Sequence, residues 1–209
     1  MSARWLAAAF CCVGATACSS PTTASTAATQ NGGTQTAAAT ALATDPTAGW
    51  VTSTSAAGHV TIKHPAGWHQ QLCPGPNDTS IPGVVMSSTL ALDAAACGEA
   101  GFGTVMVRFA PGDHRSDFDI GTSQCGTAET PTTVTISGVA GTRTRVDYDQ
   151  GSDAACSQPP TVGGFAIRYV FFDGNRSFFA DYGHDPAQNR PDDSATFDTM
   201  VQRTLSFTP

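Results

Sequence analysis

The densest run of titratable side chains is Pro111-Gly-Asp-His-Arg-Ser-Asp-Phe-Asp119, which places Asp113, His114, Asp117 and Asp119 in one short stretch. Carboxylates beside an imidazole are the raw material of acid/base catalysis or of a cation-binding loop. The spacing misses the EF-hand pattern, and Arg115 neutralises part of the charge, so the stretch reads as a solvated acidic loop. Asp147, Asp149 and Asp153 around Gly151 read as turn-forming acids. Gly121-Thr-Ser-Gln-Cys125 only echoes the Gly-x-Ser-x-Gly nucleophile elbow. Lys63 is the single lysine, so a Ser–Lys mechanism would hang on one strand residue. His64 and His69 have the spacing of the histidine half of a zinc site, but Pro65 and Gly67 lie between them and no cysteine pair shows C-x2-4-C spacing. The residues therefore predict no catalytic group, no metal and no cofactor.

Arg143, Arg145 and Arg168 are expected to share one face of a sheet, either pairing with Asp147 or Asp181 across the ladder or forming an anion site. The formal net charge of −7 argues against nucleic acid as a partner. Phe165, Tyr169, Phe171, Phe172, Phe178, Phe179 and Tyr182 crowd one hairpin. Most are expected in the core, with the remainder lining an apolar groove for a lipid or small ligand, or forming a docking surface for a protein partner.

Cys73, Cys97, Cys125 and Cys156 form an even set downstream of residue 48, the mark of a disulfide framework in an exported chain. Four cysteines allow three connectivities. Cys73–Cys97 with Cys125–Cys156 is favoured, because each closes a local loop of about 25–30 residues worth roughly 3 kcal/mol in the chain-entropy view.

Export is legible at the start. Arg4 precedes an apolar run, Trp5 to Val13, of signal-peptide length and well short of the roughly 20 residues that cross a bilayer. Ala15-Thr16-Ala17-Cys18 follows and resembles a bacterial lipoprotein signal, with Ala15 in place of the usual leucine. The resemblance implies cleavage after residue 17 and acylation of Cys18, including palmitate-type chains, which would anchor the protein on the extracytoplasmic face of the cell membrane; two or more acyl chains hold stably where one is marginal. Ala15-x-Ala17 also satisfies the rule for plain secretion. Residues 18–48 are Ser/Thr/Ala-rich and read as a disordered tether, with O-glycosylation as its sharper role. A single folded domain is expected over residues 49–209.

Within that domain, 59–64, 84–89, 104–110, 132–136, 142–148, 164–173 and 176–182 read as strands, and Asp173-Gly-Asn175 as a hairpin turn. Residues 91–96 suggest a short helix. Phe197, Met200, Val201 and Leu205 recur at helical spacing behind Asp192 and Asp193, with Arg203 in the last turn. The pattern is α+β.

Val60-Thr-Ile-Lys-His-Pro-Ala-Gly-Trp68, then Ile136-Ser-Gly-Val-Ala-Gly141, the aromatic hairpin and the closing Leu205-Ser-Phe207 together resemble Mog1/PsbP-like domains. The resemblance implies a curved, mainly antiparallel sheet with flanking helices, and no activity, because that fold hosts binding and accessory proteins. The expectation is a lipid-anchored, non-enzymatic binding or accessory module of the cell envelope. The competing expectation is a small envelope hydrolase, for which Asp113, His114 and Asp117, or His64 and His69, would converge in a cleft.

Overall fold

The computed structural model describes residues 44–75, 81–98, 101–120, 126–148 and 162–209. The expected signal peptide, Cys18, nearly all of the tether, and both Cys125 and Cys156 lie outside them. Residues 44–48, placed by sequence in the tether, already form a turn, in which Asp45 Oδ1 accepts from the Thr47 N–H and hydroxyl at 2.9 Å each.

Eleven strands and one α-helix make up the described residues: β1 Val51–Ser55, β2 Val60–His64, β3 His69–Cys73, β4 Gly83–Ser87, β5 Val105–Pro111, β6 Thr127–Ala128, β7 Thr132–Ile136, β8 Val139–Asp147, β9 Phe165–Phe172, β10 Arg176–His184, α1 Ser194–Thr204 and β11 Ser206–Phe207. An eight-stranded sheet runs β3-β4-β5-β10-β9-β8-β6 with β7 also on β8, and a three-stranded sheet runs β1-β2-β11. All pairings are antiparallel. The strand expectations are met within a few residues; β1, β3, β6 and β11 are additional.

The two faces of the large sheet differ. One carries Val84, Met86, Val105, Val107, Phe165, Ile167, Tyr169, Phe171, Phe178 and Tyr182, and it buries them against Val60 and Ile62 of β2 and Phe197, Met200 and Val201 of α1. That period-2 apolar set is why β9 and β10 read as continuous hydrophobic runs. The aromatic hairpin is thus mostly core: Phe197 meets Tyr169 edge-on at 5.6 Å and stacks on Tyr182 at 5.7 Å.

The expectation of flanking helices needs correction. Helix α1 is the single α-helix among the described residues, and the β1-β2-β11 sheet shares its side. The anticipated helix at 91–96 is one 3-10 turn, Ala94–Cys97, started by Asp93 accepting from the Ala95 N–H and ended at Gly98. Its last residue, Cys97, is bonded to Cys73 of β3, with Cα atoms 5.5 Å apart. This bridge is the favoured pairing for these two cysteines. It sits with Val85 and Met106 in a small cluster on the second face of the sheet.

Tight turns set the registers. Ile136 pairs with Val139 across Ser137 (φ 50°) and Gly138 (φ 80°), the two positive φ values of a type I′ hairpin. The β9–β10 turn is held by Asp173 Oδ1, which accepts from the Asn175 and Arg176 N–H groups at 3.0 and 2.8 Å.

Candidate functional site

Register alone assembles the site. Arg168 of β9 faces Asp181 of β10, Asp181 faces Met106 of β5, and Arg108 of β5 faces Phe179. Paired residues share a face, so Arg108, Arg168, Phe179 and Asp181 all project from the second face, away from α1. Arg143 and Arg145 pair with Tyr169 and Ile167 and project from the opposite face. The expected arginine trio is therefore split, because side chains alternate along a strand and Arg168 is one step out of phase with the residues facing those two. The cross-strand charge pairing forms for Arg168 with Asp181, whereas Arg145 pairs at 2.6 Å with Asp147, two residues on along its own strand β8.

Arg168 Nε donates to Asp181 Oδ1, its Nη1 donates to the Phe118 carbonyl at 3.0 Å, and Arg108 Nη2 lies 3.9 Å from Asp181 Oδ2. Two guanidiniums meet one carboxylate whose side chain is 8% exposed. Phe179 lies beside both cations, 5.0 Å from Arg108 and 5.9 Å from Arg168, and Phe118 of the 111–120 loop stacks on it at 3.9 Å. Burial pushes the Asp181 carboxyl up, against the pull of Arg168 and Arg108, and burial pushes the Arg108 guanidinium down. Arg108 Nε and Asp181 Oδ2 are buried without a hydrogen-bond partner among the described residues.

Two recesses open beside Arg168. One, of about 180 Å³, is walled by Phe102, Ile120, Tyr148 and Ala166 and bordered by Arg168 and Asp181. The other, of about 140 Å³, lies among Phe118, Asp119, Pro131, Thr142 and Thr144. Phe102 and Tyr148 meet edge-on at 6.3 Å, and burial raises the Tyr148 hydroxyl pKa. Arg190 stands behind Phe102 and donates to its carbonyl.

The expected groove lined by hairpin aromatics is not what forms. Phe165, Tyr169, Phe171, Phe178 and Tyr182 are core, Phe179 packs on the second face beside Arg108 and Arg168, Phe172 is half-buried, and apart from Tyr182 at its border the aromatic walls of the recess come from Phe102 and Tyr148, which sequence reasoning missed. Phe102 had one signal, a large ring set between Gly101 and Gly103. Arg108 and Asp181 had another: charges embedded in the apolar runs of β5 and β10, where an ion needs a partner.

The hydrolase candidates are distributed differently. His114 Nδ1 lies 2.8 Å from Asp117 Oδ2 and its Nε2 lies 2.9 Å from the Pro111 carbonyl. Both nitrogens face acceptors, so the imidazolium is favoured and its pKa is raised, chiefly by Asp117. The pair is exposed, at 40% and 63%. Asp113 is engaged by Arg115 at 2.6 Å, which holds its pKa down at about 2. His64 is buried in β2 with Nδ1 at 3.0 Å from the Pro65 carbonyl, whereas His69 is exposed on β3. Among the described residues no group of three or more His, Cys, Asp or Glu is placed to hold a metal ion, and no helix is long and apolar enough to cross a membrane.

No family model matches the chain, and no curated protein does. Among solved structures it is similar to cyanobacterial PsbP (CyanoP) from Synechocystis sp. PCC 6803, solved in solution, with 11% identity over 77% of this chain and 93% of that chain, at a TM-score of 0.46. At that similarity the likeness carries no argument about activity or partners, and the antiparallel fold rests on its own strand registers.

Proposed function

We propose that this chain is an extracytoplasmic, lipid-anchored binding module of the cell envelope, acting without chemistry of its own. The observation that carries the binding part is the recess at Arg168: a preformed concavity, a few polar groups converging on it, and apolar walls, which is the general form of a small-ligand site. Export is supported by the Cys73–Cys97 bridge, since disulfides persist in oxidising compartments, and by the signal-like residues 1–17 that precede Cys18. His114 supports no hydrolase, because a general base needs a free lone pair and both of its nitrogens face acceptors.

Native mass spectrometry of the full chain released gently from its own envelope tests the binding reading. A co-purifying small molecule or partner is expected, and Ala166→Leu, which fills the recess, should remove a small molecule bound there. A chain that carries nothing, and captures nothing when returned to a detergent extract of that envelope, contradicts it.

A further inference from the structure

We propose that the folded domain itself touches the bilayer, through the end of the small sheet where the chain enters the domain, and that this surface recognises the headgroups of anionic phospholipids. The inference goes beyond the binding reading and rests on its lipid-anchored part.

Aromatic rings, cations and the point of chain entry coincide there. The turn at residues 44–48 leads straight into β1, with the Trp50 N–H donating to the Thr47 carbonyl at 3.1 Å. Val51, 44% exposed, faces His64 across the β1–β2 ladder. Trp50 stands just before β1, and Trp68 follows the turn that ends β2, closed by its N–H donating to the Pro65 carbonyl at 3.3 Å. Both indoles therefore flank the same end of the strand pair. Each is half-buried, packed against the core at its rim.

The charges give the sign. Lys63 is exposed on β2, next to His64. Its N–H donates to the Thr204 hydroxyl at 2.9 Å, which brings the exposed Arg203 of the last turn of α1 alongside. Neither cation forms an ion pair among the described residues. Asp45 is the acid they share: its hydrogen bonds to Thr47, and then the charges of Lys63 and Arg203, lower its carboxyl pKa. Residues 18–43, which lead into this turn, carry no charged side chain. Two cations to one carboxylate leave this end positive on a chain whose formal net charge is −7. An anionic surface attracts such an end and repels the rest, which fixes the orientation.

Tryptophan beside lysine and arginine suits the boundary between headgroups and acyl chains, where the ring takes the apolar side and the cation the phosphate. Each cation near an anionic leaflet is worth roughly fivefold in affinity, so two make a weak contact. An anchor on Cys18 would make a weak contact sufficient, because a tethered domain meets the bilayer at high effective concentration.

The test uses the chain from residue 18 onward with Cys18→Ser, which keeps every described residue and carries no lipid. The probes are vesicles of phosphatidylcholine alone and of an equimolar mixture with phosphatidylglycerol. Co-sedimentation is expected with the mixed vesicles, at least fivefold weaker with phosphatidylcholine, and lost at high salt, where screening shortens the reach of charge to about 3 Å. Trp50 and Trp68 are the two tryptophans left once residues 1–17 are gone, so lipids brominated high in the acyl chain should quench the emission. Lys63→Gln with Arg203→Gln should weaken binding at least fivefold and leave the thermal midpoint near that of the parent, whereas Arg115→Gln on the 111–120 loop should leave binding unchanged. If the double variant misfolds, quenching in the parent still decides. No binding, equal binding to the two vesicle types, no quenching, full binding by the double variant, or an equal loss in Arg115→Gln overturns the proposal. The intact mass of the native chain reports on the anchor separately. An acylated chain whose unlipidated form ignores the vesicles loses the headgroup contact and keeps the anchor; an unacylated chain loses the anchor, and the vesicles still decide the contact.

Discussion

At the scale of single residues, the charged side chains divide by what surrounds them. His114 is exposed and faces two acceptors, so its folded-state pKa is raised, first through Asp117 and then through the Pro111 carbonyl. The sign follows from linkage. A group whose pKa is higher folded than unfolded contributes stability that is fully present below the unfolded value, about 6.5 for histidine, and loses it as pH rises through the folded value. NMR titration of the His114 ring should give a midpoint above that reference, and Asp117→Asn should move it back down. A midpoint at or below the reference in the parent would contradict the contact. Asp113 behaves in the opposite sense: its pKa is depressed, so its contribution is present above the usual carboxylate range and lost as pH falls towards about 2. Asp181 differs from both because it is buried, and the fold must supply its counter-charges from β5 and β9.

At the scale of elements, helix α1 is pinned by one polar cluster as well as by its apolar stripe. The Tyr169 hydroxyl donates to Asp198 Oδ1 at 2.6 Å, Gln202 Nε2 donates to the Tyr169 hydroxyl at 2.8 Å, and Arg143 grips Asp198 through Nε and Nη2 at 3.0 and 2.9 Å. Asp198→Ala leaves a buried phenol and a half-buried guanidinium without their acceptor, and should cost about 2 kcal/mol, seen as a fall of roughly 4–8 °C in thermal midpoint. Tyr169→Phe removes only the hydroxyl and should cost about half as much. Calorimetry that finds Asp198→Ala no less stable than the parent would show that the stripe alone holds the helix. The stripe was legible in sequence, because Phe197, Met200 and Val201 repeat at 3.6-residue spacing. So were the hairpins, which need glycine or asparagine at fixed places. Strand β3 was not: His-Gln-Gln-Leu-Cys has little apolar alternation, and it is an edge strand defined by pairing with β4 and by the Cys73 bridge. The recess was equally hidden, since Phe102, Tyr148 and Arg168 come from distant parts of the chain and only strand order brings them together.

At the scale of the whole molecule, the described residues are a sheet with one face closed by α1 and the small sheet, and the other carrying the bridge, the 111–120 loop and the Arg168 recess. The Cys73–Cys97 crosslink, with a sequence separation of 24, contributes about 3 kcal/mol by restricting the unfolded chain. That contribution exists only where thiols oxidise, so stability and cellular address are linked. Under the proposed function, both would depend on export behind a leader of residues 1–17, with Cys18 as the first mature residue. The intact mass of the native chain, extracted from the membrane fraction without reductant, tests this most directly. The account predicts a polypeptide starting at Cys18, heavier by a diacylglyceryl group and lighter by the hydrogens of two disulfides. A chain recovered from the cytosol with residues 1–17 attached, no lipid and every thiol reduced would contradict it.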